Sequence, residues 1–249
     1  MNSNKKIYFA SDFHLGVPSY EKSLEREKRI VKWLDEIKQD ASEIYLMGDL
    51  FDFWFEYKYT VPKGFIRLLG KIAEIADSGI PVTLFTGNHD MWMFDYLPKE
   101  LGVTIYREPI IREYNGKKFY LGHGDGLGPG DKGYKFIKKV FANPLCQWLF
   151  TRLHPNFAMR MANFWSQKSR LSNKDEDEKF TGEEKEWLVI YSKEVLKKEH
   201  FDYFIFGHRH LPLKIKLSDN STYINLGEWV NYNSYAVFDG TDLELKNYK

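Results

Sequence analysis

Ile7-Tyr8-Phe9-Ala10-Ser11-Asp12-Phe13-His14 is an apolar run that delivers a carboxylate and an imidazole two residues apart. The run is short and rich in β-branched and aromatic residues, so 7–11 reads as a buried strand. Asp12 and His14 follow where the chain turns off the sheet. An Asp-x-His pair at a strand end can aim both side chains into one crevice. The same construction recurs along the chain. Strand-like 43–47 leads to Gly48-Asp49, 82–86 to Gly87-Asn88-His89-Asp90, 117–121 to Gly122-His123, and 201–206 to Gly207-His208-Arg209-His210.

Helical periodicity separates the early strands. Leu24, Val31, Leu34 and Ile37 place a helix over 21–39. Phe65, Ile66, Leu69, Ile72, Ala73 and Ala76 mark a second one, stopped near Gly79 and Pro81. Alternating strands and helices build a sheet with helices packed on it, and ligands gather at the carboxyl ends of such strands. The first three motifs sit there. After His123 the pattern changes. Six glycines fall between Gly122 and Gly133, with no P-loop spacing, and read as a hinge rather than a phosphate cradle. Beyond them, Phe136, Val140 and Phe141, then Leu145, Trp148 and Leu149, then Phe157, Met161, Phe164 and Trp165 recur at helical spacing. A charged link over 175–179 and a helix over 182–198 precede the return to the sheet. The tail offers four short runs, 213–217, 222–225, 235–238 and 243–246, read as antiparallel strands. The expected organisation is an α/β core of residues 1–125 and 183–249, interrupted by a helical insertion over 126–182.

Composition narrows the class. The 249 residues are 43% hydrophobic and 29% charged, which argues against disorder, and the 17% aromatic content hints at aromatic surface as well as core. The single cysteine, Cys146, permits no internal disulfide, fits a reducing compartment and reads as buried filler. No run approaches the ~18 apolar residues of a membrane span, and the polar start lacks a signal-peptide core, so a soluble or peripheral protein is expected. The net charge of +1 hides an asymmetry. Lys132 to Lys174 holds nine Lys/Arg and no Asp/Glu, so the rest of a chain with 36 basic and 35 acidic residues is net negative.

Asp12, His14, Asp49, Asn88, His123, His208 and His210 offer the oxygen and nitrogen donors that suit two divalent ions. Neighbouring cations repel, so an anionic bridge between them is expected, and a carboxylate has two oxygens to provide one. Each motif alone is weak; Gly-Asn-His-Asp is more often a turn. Jointly they are not, because five of the seven histidines lie in these motifs and every motif follows an apolar run. The set points to metal-assisted phosphoester hydrolysis.

The series D-x-H, GD, GNHD, H, GHxH resembles the calcineurin-like metallophosphoesterase superfamily over about residues 7–210. The resemblance implies a β-sandwich flanked by helices (α/β/β/α), here with a helical lid insertion, and a dinuclear site, often manganese. By motif position one ion would take Asp12, His14, Asp49 and His210, and the other Asp49, Asn88, His123 and His208. His89 would face the substrate phosphate. Asp90 would orient His89, or would serve as a turn carboxylate.

Gly48-Asp49-Leu50-Phe51-Asp52-Phe53-Trp54, His123-Gly124-Asp125-Gly126-Leu127 with Asp131 and Tyr134, and Asn143-Pro144-Leu145 with Trp148-Leu149-Phe150 are similar to the UDP-2,3-diacylglucosamine pyrophosphatase family. Those enzymes are peripheral membrane hydrolases of lipid A biosynthesis, so cytoplasmic action at the inner membrane is implied. The resemblance implies substrate contacts from Asn88, His89, Asp131, Tyr134, Ser169, Asn173 and His208. For Ser169 and Asn173 an ordinary helix-surface role stands beside that one. A lipid-linked sugar nucleotide needs an apolar groove and contact with an anionic membrane, and the basic, aromatic insertion suits both. The plainer alternative is that its apolar residues pack on the core while Lys and Arg solvate it. No nucleic-acid partner is expected, although a basic aromatic patch is compatible with one. One departure matters. That family typically has arginine where this chain has His89. A pyrophosphate expels a phosphate oxygen and needs little protonation, so a fixed charge suffices. A mono- or diester benefits from a general acid, which keeps a phosphodiesterase or phosphomonoesterase using His89 as the alternative.

Overall fold

In a computed structural model of the chain, residues 5–129, 132–162, 164–166, 179–180 and 182–249 are described. Its centre is β1 (Lys6–Ala10), whose alternating side chains serve two layers. On one side of β1 run β2 (Ala41–Leu46), β3 (Val82–Phe85) and β4 (Thr104–Tyr106), all parallel; on the other run the antiparallel β10 (Ser234–Phe238) and β11 (Leu243–Asn247). A second sheet has the order β5 (Ile110–Tyr114), β6 (Lys117–Leu121), β7 (Tyr203–Phe206), β9 (Ser221–Leu226), β8 (Pro212–Ser218), with β6, β7 and β9 parallel.

The two sheets face each other. Ile7, Phe9, Tyr45, Met47 and Phe85 from one meet Phe119, Leu121, Ile205, Ile224 and Leu226 from the other, with Phe9 stacked on Phe119 at 6.2 Å. The alternate residues Tyr8, Ala10, Ile44, Leu46 and Leu84 point outward to α1 (Tyr20–Ile37) and α2 (Ile66–Asp77), where Ile30, Trp33, Leu34, Leu68 and Ile72 cover them. The outer face of the second sheet packs through Phe204, Phe206 and Tyr223 against Leu188 and Val189. The layers are therefore helix, sheet, sheet, helix, the expected α/β sandwich. Full burial of side chains this large contributes roughly 1.5–3 kcal/mol each.

Between β6 and β7 lie α4 (Lys132–Ala142), α5 (Pro144–Phe150) and helical turns over 155–162. Asn143 caps α5, accepting from Leu145 N at 2.9 Å, with Pro144 at its first turn. Phe150 and Ala158 are buried against Phe55 and Trp92, and the Trp92 indole donates to Phe141 O at 2.8 Å. Leu145, Trp148 and Leu149 of the same helix are 63%, 51% and 53% exposed. One face of this segment packs on the core and another presents apolar surface to solvent. Cys146 is half-buried rather than filler, because α5 turns Phe150 and not Cys146 inward.

Other differences are local. Ser19 caps α1 and starts it at Tyr20. The helix expected over 182–198 is regular only as α6 (Trp187–Leu196), because Gly182, at φ 109°, begins a turn whose carbonyl takes Lys185 N and Glu186 N. The tail runs pair antiparallel as expected, β8 with β9 and β10 with β11, and β9 also lies parallel to β7 because the chain reverses twice between them. The short α3 (Tyr96–Leu101), β4 and β5 were not anticipated; three to six residues are too few to display a period.

Candidate metal centre

The loops leaving β1, β2, β3, β6 and β7 meet at one end of the sandwich, each a sharp exit. Asp12, His14, Asp49, His208 and His210 have φ of 56°, 46°, 53°, 65° and 56°. Left-handed backbone costs a non-glycine residue about 1–3 kcal/mol and persists only where surroundings enforce it. Here they do. Asp12 N donates to Gly48 O at 3.0 Å, His14 N to Asp49 O at 2.9 Å, and Trp229 N to Asp12 O at 3.1 Å. His208 N donates to Asp12 Oδ2 at 3.0 Å and His89 N to Asp49 Oδ1 at 2.9 Å. Each aspartate thus spends one oxygen on a neighbouring loop and aims the other inward.

All seven expected ligands come together. Asp12, His14, Asp49 and His210 form one group and Asp49, His123 and His208 another, with candidate ligand atoms inside each group within 4.8 Å of one another and Asp49 common to both. Asn88 Oδ1 joins the second group, 2.7 Å from His208 Nδ1 and 3.3 Å from His123 Nε2. In the first, the Nε2 atoms of His14 and His210 are 3.0 Å apart. Asp12 Oδ1 and Asp49 Oδ2 are buried without a well-formed hydrogen bond from the described residues. They face His210 Nε2 at 3.2 Å and His123 Nε2 at 3.4 Å. Buried anionic oxygens converging with imidazole nitrogens are costly alone and suit divalent cations. His123 Nδ1 lies 2.8 Å from Met47 O, which sets the tautomer that leaves Nε2 for an ion.

Electrostatics agree. Burial opposes ionisation of Asp12 and Asp49, yet the surrounding imidazoles hold both carboxyls well below the usual range. Burial also opposes charge on His123, but Asp49 outweighs it and pushes the imidazole up to about 10. His208 is pushed down to about 4 by burial and by His123. Without metal, a proton on His123 partly balances the carboxylates; a cation would displace it.

Asp90 does not orient His89. Its carboxylate, pushed up to about 7 by burial and by Asp49, accepts from Gly87 N and Leu50 N at 2.7 Å each, and from Asp49 N at 3.3 Å. A buried carboxylate requires donors, and the N–H groups of two ligand-bearing loops surround this one. It stitches the Asp49 loop to the Asn88 loop. His89 Nδ1 instead approaches Asp52 O at 3.1 Å and Ser166 Oγ at 3.2 Å. Tyr134 lies beside the second group, its ring 6.3 Å from that of His208, and donates to Asp125 Oδ2 at 2.6 Å. Asp131, Ser169 and Asn173 lie outside the described residues.

Sequence reasoning assigned nothing to Asp52, Asp125, Ser166 or the buried pair Arg209–Glu186, whose atoms meet at 3.0 and 3.2 Å between the two histidines of the last motif and the start of α6. Asp52 and Asp125 stand inside motif stretches and could have been suspected; Ser166 carries no local signal.

The glycines are part of the site. A Cβ on Gly87 would collide with the Asp49 carboxylate and its backbone nitrogen, whereas one on Gly70 of α2 would meet nothing within 4 Å. Gly87→Ala is therefore expected to cost at least about 2 kcal/mol in thermal or urea unfolding and to release metal, and Gly70→Ala to be neutral or stabilising by up to about 1 kcal/mol. Equal effects of the two would contradict the packing described.

The family model described as calcineurin-like phosphoesterase matches residues 5–212. A protein of Porphyromonas gingivalis named UDP-2,3-diacylglucosamine hydrolase is 43% identical over 256 residues, spanning 97% of this chain and 97% of its own. Hydrolases of that name from Vibrio atlanticus and a Shewanella species are 29% and 26% identical, each over 97% of this chain and, respectively, 97% and 96% of theirs.

Proposed function

Because the chain belongs to the calcineurin-like phosphoesterase family, a family of hydrolases, we propose that it cleaves the pyrophosphate of UDP-2,3-diacylglucosamine to UMP and 2,3-diacylglucosamine 1-phosphate, a step of lipid A biosynthesis. The observation that carries the reaction type is the pair of ligand groups sharing Asp49. The substrate rests on end-to-end likeness to hydrolases of that name.

In this reading Asp12, His14, Asp49 and His210 hold one ion, and Asp49, Asn88, His123 and His208 hold a second, both Mn²⁺. Bound ions would neutralise the phosphoryl oxygens and acidify a water for in-line attack. The chain's own residues bind and orient. His89 faces the phosphate across from the ligand groups, with its Nδ1 edge turned to Asp52. Asp90 keeps the Asn88 and Asp49 loops in register. Tyr134 borders the phosphate region, with Asp131, Ser169 and Asn173 as further substrate contacts. The leaving group is a phosphate oxygen, so His89 need only stabilise charge.

A lipid substrate is supported by two features. A cavity of about 300 Å³ opens beside Asp52, lined by Leu15, Tyr20, Leu24, Phe53, Phe65 and Met159 among others. The helices between β6 and β7 expose Phe136, Leu145, Trp148, Leu149 and Phe157 together with Lys139, Arg152 and Arg160. Basic surface with exposed aromatics favours an anionic bilayer. Among the described residues no helix is long and apolar enough to cross a membrane. In this reading the segment over 126–182 is a lid, and the protein works in the cytoplasm at the inner-membrane surface.

The test is product analysis with Mn²⁺-loaded protein. UDP-2,3-diacylglucosamine is expected to yield UMP and the lipid 1-phosphate in preference to a panel of soluble mono- and diesters. Efficient cleavage of a soluble diester with no UMP from the lipid nucleotide would refute the substrate.

A further inference from the structure

Next to the two ligand groups, a third cluster joins the substrate-facing imidazole to the helical segment. Ser166 stands 114 residues after Asp52, is 8% exposed, and donates its hydroxyl proton to Asp52 Oδ2 at 2.6 Å. With that proton committed, its oxygen is left as an acceptor, 3.2 Å from His89 Nδ1. The other group at Nδ1 is the Asp52 carbonyl at 3.1 Å, which can only accept. The ring proton therefore resides on Nδ1, shared between the two oxygens, and Nε2 is the nitrogen left for a substrate. Asp52 is itself 3% exposed, and its Oδ1 lies 3.8 Å from Nδ1 of both His89 and His14. One carboxylate thus bears on a candidate metal ligand, on the phosphate-facing imidazole and on a hydroxyl from the helical segment.

We propose that Asp52 and Ser166 are positioning residues that hold the His89 ring with Nε2 toward the substrate phosphate, so that the seating of the helical segment sets the orientation of His89. The proposal rests on the phosphoester-hydrolase reading of the site. A ring held at one edge by two acceptors has one orientation. Without the hydroxyl, the carbonyl alone holds it, and the Asp52 carboxylate loses the donor that keeps Oδ2 turned to the helical segment. Asp52 has further duties toward His14, so Ser166 is the cleaner handle.

The experiment compares the parent, Ser166→Ala, Ser166→Thr, His89→Ala and the Ser166→Ala/His89→Ala double variant. Hydrolysis of bis(4-nitrophenyl) phosphate by the Mn²⁺-loaded proteins is measured beside imidazole ¹H–¹⁵N spectra of the Mg²⁺-loaded proteins. Ser166→Ala is expected to lower kcat about fivefold to tenfold with KM within about twofold, and Ser166→Thr to restore it. In the His89→Ala background, Ser166→Ala should have no further effect. The parent spectrum should show His89 protonated at Nδ1, and Ser166→Ala should shift it toward mixed tautomers. Equal losses in both backgrounds, or an unchanged His89 spectrum, would overturn the proposal. A parent that cleaves no phosphoester would instead sink the functional reading, and the spectra would still decide the positioning role.

Discussion

Asp49→Ala is expected to leave fewer than one divalent ion per chain and to lower phosphoester hydrolysis by at least about 10³-fold, equivalent to about 4 kcal/mol of barrier. Asp49 is the residue common to both ligand groups, its Oδ2 lying 3.4 Å from His123 Nε2 and 3.9 Å from His14 Nε2. Two cations held side by side would repel, and a buried carboxylate common to both ligand sets would compensate. The same side chain also takes His89 N on Oδ1 at 2.9 Å, so its removal loosens the Asn88–His89 loop as well. Asp49→Asn separates these duties. It keeps an oxygen for His89 N while deleting the charge, and should lose metal nearly as completely while unfolding at close to the parent temperature. Elemental analysis of dialysed protein gives the metal count. Two ions retained by Asp49→Ala would end the shared-ligand reading.

Converting the outer face of α5 by Leu145→Ser, Trp148→Ser and Leu149→Ser together is expected to weaken binding to phosphatidylglycerol vesicles at least about 100-fold. The three side chains are more than half exposed and sit at i, i+3 and i+4, so they form one patch, while Phe150 holds the opposite side of the helix in the core. Full burial of such side chains is worth roughly 1.5–3 kcal/mol each, so even partial insertion of three supplies about 3 kcal/mol, which is 100-fold in a partition constant. The Arg152 guanidinium lies 4.6 Å over the Trp148 ring, where it can meet lipid phosphates beside the inserted indole. The three side chains face solvent, so hydrolysis of bis(4-nitrophenyl) phosphate should stay within about twofold of the parent. Vesicle co-sedimentation that is unchanged in the triple variant would refute membrane docking through this face.

Much of the sandwich was legible because its strands announce themselves. Buried strands such as 7–11 and 82–86 are apolar runs ending in a tight exit, and α1 and α2 repeat apolar residues at 3.6 spacing. Elements without a period, such as α3 and β4, were invisible, since three or six residues show no repeat. The antiparallel pairing of β8 with β9 was legible because a hairpin partner is a local property, whereas the alignment of β9 along β7 depends on which sheet edge β8 occupies.

The candidate ligands were legible for a different reason. Aspartate, asparagine and histidine placed after apolar strands are a chemical signature, and the sheet's geometry carries strand ends to one side whatever loops intervene. The order of the five motifs, the donor types and the basic, aromatic character of the segment after Gly122 were thus determined by the chain itself. Which donors serve together was implied by the family resemblance and not by composition or spacing. Asp49 belongs to both groups because the β1, β2, β3, β6 and β7 exits converge on it, and Asp90, expected to orient His89 or to serve as a turn carboxylate, accepts backbone N–H groups from its own turn and from about 40 residues away in the chain. Ser166 reaches His89 across 77 residues, and no pattern links the two. Hydrophobic periodicity encodes what each segment buries, because burial is decided locally by which face is apolar. Hydrogen bonds to a buried carboxylate or imidazole are decided by whichever loop comes within about 3 Å, and only the packed sandwich brings those loops together.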